Sequence, residues 1–452
     1  AERLLVRTQQ AGARLQHVDI DAGALVRGKL VWENQRGWRL TRGQIGFNAG
    51  RVVAPTRPGL YVSANFDRLD VDQWLPLLGG GTGAPPPALL REVRVDIKQI
   101  ESFDRNWGRL RLGLAPVGGG WRAQLEGDSA AGRARYVPAS AGTPTAIALD
   151  LARLRLPEKK HPGTDSPIDP KRLPAIHLRT ASFEYQARDI GAVDFSAAPY
   201  DQGWRVARFN VTRPEGRFTS RGTWRAAGNR HASAFDVELS TSDMGETLAA
   251  LGAAGQVSGG KVDVRTQLAW AGSPTNPRLA ALDGRLEFAA EKGRFLQLDP
   301  GAARLFGLLD LRAITRYLVL DFSSAFGKGL AFDKMHGTVT IERGNAYTSD
   351  LFVKGPSVGL TVEGRVGLAA EDFDLVLAIN PKFSDTLTLT SWGLFGPQAA
   401  AAILAIQKIF KKQIAAGTRV TYLVKGAWDN PTVTKVDKPD GGGGADEPAA
   451  EQ

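Results

Sequence analysis

The chain contains no cysteine among its 452 residues. It therefore has no disulfide bonds and no cysteine-ligated metal site. The absence fits an oxidising compartment, but a cytosolic protein can also lack cysteine, so this observation leaves the compartment open. Histidine is also scarce and shows no HExxH spacing, and we predict no metal and no cofactor. The histidines are His17, His161, His177, His231 and His336.

Motifs that carry catalysis are missing as well. There is no G-x-S-x-G elbow, and the glycine-rich stretch Gly79–Gly83 lacks the Lys-Ser/Thr pair of a phosphate loop. Acidic residues are spread along the polar faces of strands, and nothing singles out a pair for acid–base chemistry. We predict no catalytic residues and a protein that is not an enzyme.

Long apolar runs are absent too. No stretch of about 18 apolar residues occurs, so no transmembrane helix is predicted. The sequence opens at Ala1 without a basic-then-apolar leader, which suggests a mature or excised piece of something larger.

The net charge of +10 admits two explanations, an arginine-rich soluble surface or attraction to nucleic acid or acidic lipid. Arginines occupy the polar phase of strands, as at Arg109 and Arg111, and no dense basic run occurs. Aromatic residues such as Phe235 and Phe288 lie in phase with Val and Leu rather than isolated among charges. These patterns favour the soluble surface, and we predict no nucleic-acid partner.

What the chain has in abundance is alternation of apolar and polar residues. Val358, Leu360 and Val362 alternate with Thr361 and Glu363, and similar stretches recur throughout. Successive side chains of a strand point to opposite faces, so each stretch predicts a strand with one apolar face. Together with 52 glycines and 25 prolines for turns, the pattern predicts a mostly antiparallel β-protein with a few short helices.

A tripeptide repeat divides the first half of the chain. Gly-Trp-Arg occurs at residues 37–39, 120–122 and 203–205, so successive copies begin 83 residues apart. After the first and third copies we predict strands followed by a short helix, at Val71–Leu78 and Met244–Leu251, whereas a loop replaces the helix after the second. Such spacing is typical of repeated β modules.

Long loops are predicted near residues 79–88 and 157–174, and a disordered tail at residues 437–452. Helices are predicted near residues 300–311 and 397–415. The second of these is amphipathic, either packed on the sheet or lying at a membrane interface. In the membrane alternative the contact residues are Ile403, Ile406, Phe410, Lys411, Lys412 and Ile414.

The last third of the chain carries a family resemblance, densest over Gly284–Val436. It includes GRFLQLDPGAARLFGLLDL and FGKGLAFD, and closes with VTYLVKGAWDNPTVTKV. This region resembles the C-terminal part of the YhdP group of AsmA-like proteins of Gram-negative bacteria. The resemblance divides the chain into repeated β modules at residues 1–281 and a C-terminal AsmA-like region at residues 282–436.

The resemblance implies an elongated, twisted antiparallel sheet curled into an open apolar groove that carries phospholipids through the periplasm. The C-terminal end would meet the outer membrane, and an inner-membrane anchor would belong to an N-terminal segment outside this sequence. An alternative function is an envelope scaffold or assembly factor that binds outer-membrane proteins through its sheet edges.

Residues of one strand phase are predicted to line the groove. The adjacent phase, Val376 and Ala378, is the fallback, because a shift of one residue in register exchanges the two faces. A further alternative is that the apolar faces close on each other as ordinary β-sandwich domains. The predicted lining residues are Val339, Ile341, Val358, Leu360, Val362, Leu375, Leu377 and Ile379.

Overall fold

The computed structural model describes residues 4–73, 88–140, 142–161, 169–228, 230–274, 277–296, 330–356, 359–380 and 420–436. Within these ranges it contains twenty-three strands, one α-helix and three short 3-10 turns, so the predicted mostly-β fold is confirmed. Backbone contacts divide the chain into two units. Unit 1 comprises residues 1–235 with 273–276, and unit 2 comprises residues 236–272 with 277–452.

Unit 1 is built from fourteen strands and the first half of a fifteenth. In chain order they are β1 (Leu5–Ala11), β2 (Leu15–Ala22), β3 (Val26–Asn34), β4 (Trp38–Phe47), β5 (Gly59–Asp70), β6 (Leu90–Ser102), β7 (Arg105–Val117), β8 (Gly120–Gly127), β9 (Ala130–Val137), β10 (Ala146–Leu156), β11 (Ala175–Tyr185), β12 (Arg188–Tyr200), β13 (Gly203–Thr212), β14 (Gly216–Ala227) and β15 (Arg230–Thr241).

Strands β1 to β14 pair with their neighbours in chain order. Most pairs are antiparallel, as predicted, but β4–β5, β5–β6 and β10–β11 are parallel. A parallel pair needs a crossover that returns the chain to the same end of the sheet. The chain makes these connections between residues 47 and 59, between 70 and 90, and between 156 and 175. The predicted loops near residues 79–88 and 157–174 fall within the last two, partly outside the described residues.

Unit 2 contains the rest of the described strands, and β16 to β23 pair antiparallel with their neighbours in chain order. They are β16 (Val257–Ala271), β17 (Leu282–Phe295), β18 (Leu330–Glu342), β19 (Asn345–Lys354), β20 (Gly359–Gly367), β21 (Asp372–Asn380), β22 (Val420–Ala427) and β23 (Thr432–Val436). One face of these strands forms a buried hydrophobic cluster that includes Ile341, Phe373 and Val424.

The predicted helix at Met244–Leu251 is present as α1 (Met244–Ala250). Its first turn is capped by Asp243, whose carboxylate accepts a hydrogen bond of 3.0 Å from the backbone N–H of Glu246. At the other predicted site a 3-10 turn covers Val71–Gln73, and residues 74–78 lie outside the described ranges. The predicted helices near residues 300–311 and 397–415, and the tail at 437–452, also lie outside them.

The glycine of the repeated Gly-Trp-Arg triplet has a steric role in two copies. A Cβ atom at Gly120 would lie 2.2 Å from the carbonyl oxygen of Tyr136, and one at Gly203 would lie 2.0 Å from that of Trp224. Only glycine allows the neighbouring strand so close. The first copy differs, since Gly37 has a positive φ of 128° and open space around it.

The order of elements after the triplets also differs from the expectation. The second and third triplets open β8 and β13, and three strands precede the next crossover segment or helix in each case. After the first triplet, residues 48–58 form no strand, and β5 pairs parallel with β4.

Candidate functional site

One line of residues crosses unit 1 from β1 to β14 without a charge. Each member faces the next across a strand pair, and we call this line the apolar row. Its members are Val6, Ile20, Gly28, Ile45, Val62, Val93, Leu114, Ala123, Ala134, Leu149, Leu178, Phe195, Phe209 and Ser220. Cross-strand neighbours on one face stand close enough to make a continuous surface.

A second line, one residue away on the other strand phase, carries a polar side chain or a glycine on each strand from β2 to β14. We call it the polar row, and it contains no aliphatic or aromatic side chain. Its members from β2 to β14 are Asp21, Arg27, Gly46, Ser63, Arg94, Gly113, Gln124, Arg133, Asp150, Arg179, Asp194, Asn210 and Thr219. The sheet of unit 1 therefore has one apolar and one polar face.

The apolar row is only half-buried. From Ile45 to Phe209, every member keeps an intermediate exposure. Along β8 half-buried Trp121, Ala123 and Leu125 alternate with exposed Arg122 and Gln124. An ordinary protein core buries such residues fully, and a large exposed apolar surface generally marks a binding site. The apolar face of unit 1 thus retains surface that a hydrophobic ligand can cover.

In unit 2 the residues predicted as lining lie on one face. Val362 faces Leu377, which faces Tyr422 on the next strand. Leu360 likewise faces Ile379, and Ile341 faces Ala346, which faces Val366. Val358 lies outside the described residues.

These residues are more deeply buried than the apolar row of unit 1. The exposed fraction is 1% for Leu377 and Ile379 and at most 8% for the others except half-buried Leu360. They belong to one hydrophobic cluster, which Leu360 joins from its edge. The fully buried members of the predicted set are Val339, Ile341, Val362, Leu375, Leu377 and Ile379.

The opposite phase of unit 2, proposed as the fallback lining, carries ionic contacts. Asp372 and Arg365 form a two-pronged ion pair with distances of 2.7 and 2.8 Å. This hydrogen bonding to Arg365 holds the pKa of Asp372 below its usual value. Lys425 pairs with Asp374 at 3.3 Å on the same phase. Val376 is half-buried there, and Ala378 is 2% exposed between Thr361 and Thr421.

Sequence reasoning did not assign the apolar row of unit 1 as a site. The alternation at Ile147, Leu149 and Leu151 predicts the strand, but nothing in it shows which residues face each other across strands. Register depends on bulges such as the one between Leu151 and Arg153 and on the parallel crossovers. The residues predicted for a membrane-interface helix, from Ile403 to Ile414, lie outside the described residues.

Two other kinds of feature are absent from the described part of the chain. No cluster of His, Asp and Glu side chains in it has the geometry to hold a metal ion. No helix in it has the length and hydropathy needed to cross a membrane.

Comparison with known proteins identifies the family of this chain. A family model described as YhdP protein matches residues 2–433. The intermembrane phospholipid transporter YhdP of Escherichia coli strain K12 is 28% identical over 175 residues, which are 38% of this chain and 14% of that protein. The match thus spans a small part of that relative's length, and no solved structure matches the chain. Because the family model covers almost the whole sequence, this chain belongs to the YhdP family.

Proposed function

We propose that this chain carries phospholipids by shielding their acyl chains along the apolar face of its sheet, without catalysis. The observation that supports this most strongly is the apolar row, which is uncharged across fourteen strands and half-exposed over most of its length. The name of the relative from Escherichia coli, an intermembrane phospholipid transporter, agrees with such a role.

The free energy for holding an acyl chain on this face comes from the hydrophobic effect. Each methylene removed from water contributes ~0.8 kcal/mol, so a pair of acyl chains gains many kcal/mol by covering half-exposed Leu and Phe side chains. Because adjacent positions of the row resemble each other chemically, none holds a methylene much more tightly than the next. A lipid therefore meets small barriers as it slides along the row.

The dimensions of the row allow several lipids at once. With paired strands about 4.8 Å apart, fourteen strands extend the row over roughly 60 Å. One bilayer leaflet has an apolar depth of about 15 Å, which approximates the reach of one acyl chain. The row is thus several times longer than one acyl chain, so it can bind more than one lipid and a lipid can move along it from strand to strand.

In unit 2 we propose the same path along the predicted lining residues of β18 to β21. Their burial means that acyl chains would reach them only by replacing the side chains that now pack there. The half-buried Leu360, at the edge of the cluster, is the described lining residue closest to such an entry point. The cellular setting we propose is the periplasm, with phospholipid moving between the inner and outer membranes.

Bound lipid on the purified chain tests this function. Native mass spectrometry of the protein isolated from a Gram-negative envelope should show phospholipid adducts, with more than one lipid per chain. Delipidated protein mixed with phospholipid vesicles should regain them. An assembly factor acting through sheet edges would instead bind strand peptides and carry no lipid, and a lipid-free protein that stays lipid-free with vesicles would refute the proposal.

A further inference from the structure

The three Gly-Trp-Arg triplets lie at the same end of the strands in unit 1. The strand directions place the turns at residues 12–14, 35–37, 118–119 and 201–202 at the same end of the strands. We call this side of the sheet the first rim. The turns at residues 23–25, 103–104, 128–129, 186–187 and 213–215 form the second rim. Each triplet begins within one residue of a first-rim turn, so the repeat marks one side of the unit.

The tryptophans of the triplets lie on the apolar phase. Trp38 faces Asn34, which lies on the same phase of β3 as Trp32. Trp121 faces Pro116 and Tyr136. Trp204 faces Pro199 and Trp224. Of the described tryptophans in unit 1, Trp32, Trp38, Trp121, Trp204 and Trp224 are near the first rim, and Trp107 alone is near the second. Indole rings with an apolar body and a polar N–H favour the boundary between hydrocarbon and headgroups.

The charges of the two rims differ as well. Charges are assigned to the rim where the nearest strand end lies, and in the crossover segments only described residues within four positions of a strand end are included. On this basis the first rim has the cations Arg14, Arg36, Arg57, Lys171 and Arg172 and the single anion Asp201. The second-rim connections carry four cations and five anions, which are Arg51, Lys159, Lys160, Arg213, Asp72, Asp104, Asp128, Glu158 and Glu215. The first rim is therefore cationic, whereas the second is close to neutral.

Partners make the contrast stronger for three of the first-rim cations, whereas Arg172 pairs with Asp169 at 3.9 Å. Arg14, Arg36 and Arg57 are exposed, and the described residues offer them no carboxylate within 4.0 Å. On the second rim, Lys160 pairs with Glu101 at 2.7 Å, and Arg213 pairs with Glu215. At the third triplet the guanidinium of Arg205 lies 3.3 Å from the ring centroid of exposed Tyr200, on the strand phase opposite to Trp204.

We infer that the first rim, marked by the Gly-Trp-Arg triplets, is the side of the apolar face along which the phosphate groups of bound phospholipids lie. This inference rests on the proposed function and adds an orientation to it. The acyl chains cover the apolar row, the indole rings lie at the glycerol level, and the free arginines attract the phosphates. A cation near a lipid surface contributes attraction that accumulates with each residue along the rim.

Placement of the phosphate can be measured directly because the chain has no cysteine of its own. Gln202→Cys in a first-rim turn and Ala187→Cys in a second-rim turn put a nitroxide label at opposite ends of β12, about 40 Å apart. Phosphorus NMR of dioleoyl phosphatidylglycerol bound to each full-length protein reports the distance from label to phosphate. With the label at Gln202→Cys we expect strong broadening of the phosphorus resonance of the bound lipid. With the label at Ala187→Cys we expect a linewidth near that measured after the nitroxide is reduced to its diamagnetic form.

Equal broadening from both labels, or stronger broadening from Ala187→Cys, would overturn the inference while leaving the proposed function intact. Failure of both labelled proteins, and of the unlabelled chain, to bind the lipid would overturn the proposed function and the inference with it. These two failures are distinguishable because bound lipid is counted in the same samples by mass spectrometry.

Charge reversal provides a second test with a matched control. Arg14→Glu, Arg36→Glu and Arg57→Glu together should weaken capture of phosphatidylglycerol from vesicles by at least about tenfold. Arg51→Glu, Arg188→Glu and Arg217→Glu change the net charge equally. Arg51 follows the second-rim end of β4, and Arg188 and Arg217 lie at the second-rim ends of β12 and β14. The control should bind lipid much more tightly than the first-rim variant, and an equal loss in both would contradict the inference.

Discussion

Leu149→Asp should reduce phospholipid capture and transfer by at least about tenfold while the chain stays folded. Leu149 lies in the middle of the apolar row, between Ala134 and Leu178, and is half-buried. A carboxylate there remains hydrated in the lipid-free protein, so the fold tolerates it. A bound acyl chain would strip that water, and desolvating an unpaired charge costs several kcal/mol, with each 1.4 kcal/mol equal to a factor of ten.

The control for Leu149→Asp adds the same charge to the other face. Gln124 belongs to the polar row, is exposed, and faces Arg133, so Gln124→Asp places its carboxylate in water beside a cation. Transfer between donor and acceptor vesicles is measured for both variants, with circular dichroism to verify the strand content. Equal transfer by Leu149→Asp and the unmodified chain would show that acyl chains do not pass over this row.

Leu377→Ala should lower the free energy of unfolding of unit 2 by about 2–5 kcal/mol. Leu377 is 1% exposed and faces Val362 and Tyr422, both of them buried. Truncating it removes apolar contacts and leaves a cavity that the paired strands cannot close by moving. This loss is among the largest expected for a single substitution in the described residues.

Val376→Ala provides the comparison for Leu377→Ala, because Val376 is the adjacent residue on the opposite, half-buried face. Hydrogen exchange of peptides from β20 to β22 in increasing urea reports unit 2 separately from unit 1. Val376→Ala should lower the free energy of unfolding of unit 2 by well under half of the decrease caused by Leu377→Ala. If the two substitutions cost the same, the assignment of the buried face of β21 would be wrong.

Burial also decides which substitutions can report on transport. A charge at Leu377 would enter a packed cluster and destabilise unit 2, so lost transfer would have two causes. A charge at Leu149 is hydrated in the lipid-free protein, so lost transfer in that variant would have a single cause. The half-buried row of unit 1 is therefore the better place to test lipid passage.

The sequence predicts the strands well because alternation is a local property. The strand containing Leu360 and Val362, and the helix at Met244–Leu251 with its Asp243 cap, follow from residues within a few positions of each other. The choice of phase in β21, with Leu375, Leu377 and Ile379 on one face, also follows from local pattern. The assignment of those residues as a lipid path stays a prediction.

Cross-strand relations were not predictable in the same way. The apolar row depends on the register of thirteen strand pairs, several of which contain bulges, as between Ser196 and Ala197. The parallel pair β10–β11 depends on where the crossover at residues 157–174 returns the chain. The common rim of the Gly-Trp-Arg triplets depends on strand direction. These relations follow from the sum of many turns, and no single motif in the sequence encodes them.

A photocrosslinking scan on β7, β10 and β11 tests the central claim most directly. A photoreactive amino acid is placed in turn at Leu114, Leu149 and Leu178 of the apolar row and at Gly113, Asp150 and Arg179 of the polar row. The protein is irradiated in the envelope, and phospholipid adducts are identified by mass spectrometry. The account predicts adducts at all three apolar-row positions and none at their polar-row neighbours. Adducts on both rows alike, or on neither, would contradict it.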